Sequence, residues 1–165
     1  MSAAPAGEFE ARVRAPFATL GIATDGKHLT KVRFLPVHVK ALTPPRDSLA
    51  YLACVQLSAY LDDPSFEFDI PVKFSGSMHQ LRVWEGMRAI PAGKTLTYGA
   101  LAASIGSNAR AVGGACGSNP VPIVVPCHRI VAANGLGGFM GGTGSATLDI
   151  KRWLLAHEQR PFELR

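Results

Sequence analysis

Thr97-Tyr98-Gly99-Ala100-Leu101-Ala102-Ala103-Ser104-Ile105-Gly106-Ser107-Asn108-Ala109-Arg110-Ala111-Val112-Gly113-Gly114-Ala115-Cys116 is the stretch on which the fold turns. Thr97 offers a side-chain oxygen to cap a helix, and Leu101 and Ile105 follow at helical spacing. Gly106 suits the C-terminal end of that helix. Ser107-Asn108 then opens a second helix, from Ala109 to Cys116. Two short helices joined by a glycine-containing turn are the outline of a helix-turn-helix.

The second helix is unusual in composition. Ala109, Ala111, Gly113, Gly114, Ala115 and Gly117 surround Arg110 and Val112. A glycine inside a helix costs roughly 1 kcal/mol relative to alanine. Small side chains let a helix backbone come close to another surface, which can compensate. That surface is either a neighbouring helix or a DNA groove with Arg110 reaching in, and pattern alone leaves both open.

C-terminal to this stretch lies Ile123-Val124-Val125-Pro126-Cys127-His128-Arg129-Ile130-Val131. Pro126 fixes the local backbone, and Val125 before it is pushed toward extended geometry. A thiol on a stiff segment beside a histidine and an arginine is expected to have a lowered pKa and nucleophilic character. The ordinary alternative is a structural cysteine buried in a strand. Next comes Asn134-Gly135-Leu136-Gly137-Gly138-Phe139-Met140-Gly141-Gly142. Asn-Gly signals a turn, and Phe139 and Met140 amid glycines suggest a pocket wall rather than a linker. The final helix is expected over 146–158, with Ile150, Trp153, Leu154 and His157 on one face. Lys151 and Arg152 are expected on its solvated side.

Toward the N-terminus, Ser77-Met78-His79-Gln80 has capping-box spacing. Leu81, Trp84 and Met87 continue that helix, which Pro91-Ala92-Gly93 ends. Further upstream the pattern is mixed α/β. Phe9, Ala11 and Val13 alternate with polar residues, as in a half-buried strand. Leu20 and Ile22 form a second strand candidate, and Asp25-Gly26 turns it toward Val32 and Phe34 as a hairpin. After Pro44-Pro45, Ala50, Cys54, Leu57 and Leu61 recur at helical spacing, with Asp47 or Ser48 as cap. This places Cys54 on an apolar face, as inert core. Phe66, Phe68 and Ile70 alternate as one more strand. The change of character near Ser75-Gly76 divides the chain into units 1–74 and 75–165.

At 165 residues, 47% hydrophobic and 18% charged, the chain can bury a core in one or two small domains. The net charge of +5 and pI near 9.4 are compatible with phosphate contacts without proving them. Three cysteines form no paired framework, which fits a reducing cytoplasm. Met1–Gly7 lacks the basic start and apolar run of a signal peptide and reads as a loose tail. No run is long enough to cross a bilayer, and no internal repeat is present.

Taken together these residues resemble the O6-alkylguanine-DNA alkyltransferase family. Asn119-Pro120-Val121-Pro122-Ile123-Val124-Val125-Pro126-Cys127-His128-Arg129 resembles its active-site stretch nearly residue for residue. Ala109–Ala115 is similar to its DNA-reading helix, Leu96–Ala102 to the segment before it, and Trp153–Glu158 to its closing helix. The likeness covers about residues 75–160. The fold it implies is a ribonuclease H-like α/β N-terminal domain, a small antiparallel sheet plus a helix. A mainly helical C-terminal domain with a winged helix-turn-helix follows.

The resemblance implies DNA repair by direct reversal. The Cys127 thiolate would take the alkyl carbon from guanine O6 in duplex DNA after base flipping. An alkyl thioether has no easy route back through water, so one chain would repair one lesion. His128 would activate Cys127. Neighbours in extended backbone point opposite ways, so a bridging water is expected between them. Glu158 would orient His128, Tyr98 would approach the flipped base and could donate toward the departing guanine, and Asn119 would hold the turn. Arg110 would replace the flipped base. Ala109, Ala111, Gly113, Gly114 and Tyr98 would face the minor groove beside it. Arg129 is expected to be structural or phosphate-facing. The pocket implied is Met78, Pro122, Val125, Ile130, Phe139 and Met140.

Phe139 and Met140 depart from the family, which often carries tyrosine and serine or arginine there. Thr143-Gly144-Ser145-Ala146 is a small extra segment. His28, His38, His79 and Cys54 lack ligand spacing, so neither metal nor other cofactor is expected. The implied partner is double-stranded DNA containing O6-alkylguanine, bound by a monomer, with cooperative binding left open. Localisation is expected in the cytoplasm, on the nucleoid if bacterial.

Three rivals stand beside this reading. A binding-only relative would lack Cys127. A cysteine hydrolase would need neither a DNA-reading helix nor a histidine adjacent to its cysteine. A transcriptional regulator would need base-reading side chains that the Ala109–Ala115 helix does not carry.

Overall fold

The computed structural model describes residues 8–163. The chain separates into two compact units, Met1–Phe74 and Ser75–Arg165. The expected loose tail, Met1–Gly7, lies outside the described residues.

In the first unit, β1 (Ala11–Arg14), β2 (Thr19–Thr24) and β3 (Leu29–Leu35) form an antiparallel sheet in that order. Ile22 lies between Ala11 and Val32, and Leu20 between Val13 and Phe34. Period-two alternation therefore puts all six on one face. The β2–β3 turn is held by the Asp25 carboxylate, which accepts from the amides of Lys27 and His28 at 2.8 and 2.7 Å. α1 (Leu49–Asp62) packs against β1 and β2. Ser48 caps it, accepting from the Tyr51 amide at 3.2 Å.

Two expectations fail here. Cys54 is half-buried rather than core. The buried stripe of α1 is Ala50, Ala53, Leu57 and Tyr60, one position away. Phe66–Ile70 forms no strand. Asp69 donates its backbone N–H to Gln56 of α1 at 3.2 Å and accepts from the same side chain. The Phe68 ring packs between Tyr60 and Phe66, with centroids at 5.7 and 5.4 Å. Helix side chains have taken the partners that a sheet edge would have used. Only beyond the segment does the chain meet the sheet, where Val72 bridges Leu29 of β3.

In the second unit, α2 (Met78–Arg88) starts at a complete capping box between Ser77 and Gln80. α3 (Tyr98–Ile105) starts at Thr97 and ends at Gly106 with φ +69°, which glycine adopts without the Cβ clash. α4 (Ala109–Gly117) is capped by Asn108, whose side chain accepts from the Ala111 amide at 2.9 Å. Trp84 of α2 is buried and donates its indole N–H to the Ala115 carbonyl of α4 at 2.9 Å. One side chain thus supplies apolar area and a satisfied donor across the same helix pair. β4 (Leu96–Thr97) and β5 (Ile130–Val131) pair in parallel, and α5 (Ser145–Glu163) closes the unit.

Two more corrections belong to this unit. Cys127–Arg129 is a short 3-10 turn, not part of an extended strand. Lys151, expected on a solvated face, is fully buried, whereas Arg152 is exposed as expected. No helix among the described residues is long and apolar enough to cross a membrane.

Candidate active site and nucleic-acid interface

The reactive turn is set by what precedes it. Asn119 is buried and holds the chain at both ends of a tight loop. Its amide donates to the Val125 carbonyl at 2.8 Å, and its oxygen accepts from the Val121 amide at 3.0 Å. Between them Ile123 sits at φ +75°, a left-handed conformation that a β-branched residue rarely adopts. Such strain costs of order 1–3 kcal/mol and persists only where surroundings impose it. Here they are the Asn119 clamp and full burial.

Cys127 leaves this loop into a cleft shared with Tyr98, Gly113, Cys116, Phe139 and Met140. Its Sγ lies 3.7 Å from Met140 Sδ. Burial pushes the thiol up to about 11, against lowering contributions from an Asn119 hydrogen bond and the Lys151 charge. The sequence expectation of a lowered thiol pKa is therefore reversed: the resting sulfur keeps its proton.

His128 is fully buried. Its Nε2 lies 2.7 Å from Glu158 Oε2. Glu158 also accepts two bonds from Arg129, Nε to Oε1 and Nη2 to Oε2, each 2.9 Å. Burial raises the Glu158 pKa, but the bonds from His128 and Arg129 outweigh it and hold the carboxyl well below its usual range. Burial lowers the His128 pKa despite the carboxylate beside it. The combination is an ionised Glu158, a charged Arg129 and a neutral imidazole. An ionised carboxylate can only accept, so the imidazole proton sits on Nε2. Nδ1 is left as a buried lone pair without a hydrogen-bond partner. Such a group can take up a proton.

Lys151 is a further buried polar group of this unit. Its Nζ donates to the carbonyls of Ile130, Leu136 and Gly138 at 2.6, 2.7 and 2.9 Å. Burial lowers its pKa to about 8, while the two nearby thiols pull it upward. Tyr98, at the start of α3, donates its hydroxyl to the same Gly138 carbonyl at 3.3 Å. Gly137, at φ +75°, passes under the Tyr98 ring, and a Cβ there would come within 2.8 Å of it. Burial raises the phenol pKa, so the hydroxyl remains a donor.

At the outer surface, Ala109, Arg110 and Gly114 of α4 are exposed, and Ala111 and Gly113 are half-buried. Gly113 lines the Cys127 cleft, as does Tyr98, so α4 joins the outer surface to the thiol. Of the six residues implied for the pocket, Phe139 and Met140 line this cleft. Pro122, Val125 and Ile130 are buried outside its lining. Met78 is 72% exposed, at a separate hollow with Leu81, Glu85 and Ile105. Missing from the sequence reading were Lys151 as a buried donor, Arg129 as the clamp on Glu158, and Cys116 in the cleft. Lys151, Leu154 and Glu158 stand at i, i+3 and i+7, so helical spacing could have placed the lysine on the glutamate's face.

Fold and site define a two-unit protein in which the short helix pair α3 and α4 leads to a buried thiol backed by histidine and glutamate. Residues 78–160 match the family model described as 6-O-methylguanine DNA methyltransferase, DNA binding domain. The methylated-DNA–protein-cysteine methyltransferase of Mycobacterium bovis is 38% identical over 156 residues, covering 89% of this chain and 90% of that one. That of Mycolicibacterium paratuberculosis is 49% identical over 111 residues, covering 66% and 64%. The crystal structure of Mycobacterium tuberculosis O6-methylguanine methyltransferase superposes with TM-score 0.75 at 35% identity, covering 90% and 91%. The structure of that organism's OGT in complex with DNA superposes at 0.74 and 38% identity, covering 90% and 91%. The chain belongs to the family of methylated-DNA–protein-cysteine methyltransferases.

Proposed function

We propose that this protein repairs DNA by moving the alkyl group of O6-alkylguanine in a duplex onto its own Cys127, once per chain. The observation that supports this best is the proton arrangement behind the thiol. Cys127 holds its proton at rest, and His128 offers an unprotonated Nδ1 whose tautomer Glu158 sets. The thiol proton passes to Nδ1 through one water, the resulting imidazolium is stabilised by Glu158, and the thiolate attacks the alkyl carbon. The S–C bond forms as the C–O6 bond breaks, and guanine leaves with the electron pair. Tyr98 and its shared acceptor stand in the same cleft, where the hydroxyl can donate to the departing base.

The target atom is stacked inside the duplex, so the nucleotide must flip out at a cost of a few kcal/mol. α4 presents small residues around Arg110, the form suited to minor-groove approach with a wedge. Arg110 fills the space of the extruded base. The remaining parts of this reading are a monomer acting in the cytoplasm, a winged form for the helix-turn-helix, and a ribonuclease H-like first unit.

The test is mass spectrometry of the protein after incubation with duplex DNA containing O6-methylguanine. One methyl is expected on the Cys127 peptide and none on Cys54 or Cys116. Cys127→Ala should bind the duplex and leave the lesion unrepaired. Repair by that variant, or methyl on another cysteine, removes the assignment.

A further inference from the structure

The hairpin beside the thiol carries an ill-suited residue for its backbone. Phe139 and Gly142 exchange both backbone hydrogen bonds at 2.9 Å, so Met140-Gly141 is a two-residue turn. Both central residues have positive φ, +52° at Met140 and +77° at Gly141, the mark of a type I′ turn. Its first position favours asparagine, aspartate or glycine. Left-handed backbone under any other side chain costs roughly 1–2 kcal/mol. The turn is also pinned from outside: a Cβ at Gly117 of α4 would come within 3.1 Å of the Gly141 backbone. The backbone is thus fixed, with a methionine where the turn disfavours one. An outlier of this kind points to a function for the side chain.

That side chain ends on the nucleophile. Met140 Sδ lies 3.7 Å from Cys127 Sγ, a van der Waals contact with no room for a carbon between the two sulfurs. Cys127 is 4% exposed, so a group that reaches its sulfur must first move a neighbour. Tyr98 is tied to the Gly138 carbonyl, and Phe139 and Cys116 are buried. Met140 is half-buried, and its three rotatable bonds let the thioether swing without disturbing the turn. The cleft encloses about 190 Å³. Pockets that hold a drug-sized ligand run from about 300 to 1,000 Å³, so a bulky alkyl group needs the space that the thioether fills.

We propose that Met140 sets the alkyl size this protein accepts: its thioether covers Cys127, gives way readily to a methyl group, and must turn out of the cleft for a benzyl-sized one. The choice of substrate rests on the alkyl-transfer reading, with the same bonds made and broken. The shielding of Cys127 rests on the cleft geometry alone.

The test compares single-turnover transfer from O6-methylguanine and O6-benzylguanine in the same duplex at saturating protein, read as mass added to the Cys127 peptide. Met140→Ala should raise the benzyl-to-methyl rate ratio about tenfold or more over the natural chain, the lower end of what one methylene in a pocket discriminates. Met140→Asn suits the turn, so it should melt no lower than the natural chain, and it should raise the ratio likewise. Met140→Leu keeps the bulk and should leave the ratio near that of the natural chain. A second arm needs no DNA. Iodoacetamide and the bulkier iodoacetanilide alkylate Cys127 directly, and Met140→Ala should favour the bulkier reagent by a similar factor. If the natural chain takes no alkyl group from DNA while this arm holds, the repair reading falls and the gate stands. Equal effects on small and large groups, in either arm where Cys127 reacts, overturn the proposal. So does a Met140→Leu ratio as high as that of Met140→Ala.

Discussion

Lys151 and Tyr98 end on the same oxygen. The Gly138 carbonyl accepts from the lysine ammonium at 2.9 Å and from the phenol at 3.3 Å. One atom of a glycine-rich loop thus joins the closing helix to the first residue of α3. The lysine also holds Ile130 and Leu136 through their carbonyls. Lys151→Met would remove the lysine's bonds to the Ile130 and Leu136 carbonyls and leave Gly138 with Tyr98 alone, each acceptor left dry and unpaired costing about 1–3 kcal/mol. We expect a loss of about 3–5 kcal/mol in urea unfolding with an unchanged denaturant slope. Lys151→Arg should not restore it, because a planar guanidinium does not present three donors to a point. Full stability in either variant would show that the carbonyls find other partners.

The Arg129–Glu158–His128 chain predicts a different pattern. Glu158→Gln keeps the shape but loses the charge that fixes the imidazole tautomer, and it leaves Arg129 opposite a neutral amide. Single-turnover methyl transfer should fall by about 10²–10⁴, the usual size of a general-base contribution. Stability should fall by about 3–5 kcal/mol, as for a broken buried pair. Arg129→Lys tests the clamp. It keeps the charge but not the two-pronged grip, so transfer should fall while DNA affinity stays unchanged. An affinity loss with normal transfer would instead make Arg129 a phosphate contact.

The pH behaviour follows from the shifts. The folded His128 pKa lies below its ordinary value near 6.5. Below about that pH the unfolded chain binds a proton that the folded chain refuses, so stability falls as pH drops. Glu158 has the same sign in a lower window: its folded pKa is depressed, and its contribution is lost as pH falls through and below the carboxylate range. The melting temperature should therefore decline from pH 7 toward pH 5. His128→Gln should flatten that decline. Cys127, with its thiol near 11, should react with iodoacetamide about tenfold faster per pH unit from 7 to 10. A plateau near pH 7 would mean a preformed thiolate and no need for His128 as base.

What was legible in the sequence was whatever local chemistry decides. Ser77, Thr97, Asn108 and Gly106 stop or start helices through their own side chains or their lack of one, so their positions could be read directly, while for the first helix the sequence leaves Asp47 and Ser48 both open and Ser48 is the cap. The β1–β2–β3 sheet followed from alternation and an Asp-Gly turn. The failures were tertiary. Phe66–Ile70 has strand periodicity, but Gln56 and Tyr60 of a helix compete for it. Lys151 was assigned to solvent by residue type, because nothing local announces three carbonyls converging from 130–138. The Cys127 pKa depended on how deep the thiol lies. Adjacent His128 and Arg129 suggested a cationic setting, yet both are committed to Glu158, and desolvation decides the direction.

Arg110 offers the sharpest separation of DNA chemistry from thiol chemistry. It is exposed on α4, two residues after the Asn108 cap, with alanines on either side. In the flipping reading its side chain occupies the gap left by the extruded nucleotide, so it matters only when there is a stack to open. Arg110→Ala should slow repair of O6-methylguanine in duplex DNA by about 10–100-fold, the loss expected if a few kcal/mol of unstacking goes uncompensated. Alkylation of Cys127 by free O6-benzylguanine, which needs no flipping, should be unchanged. Single-stranded substrate should fall between the two. If Arg110 were merely a phosphate contact, the variant's duplex affinity would lose about one unit of salt slope. Raising the protein concentration to saturation would then restore the repair rate. Under the wedge role saturation leaves the slow step slow, so the rate at saturating protein is the measurement that decides.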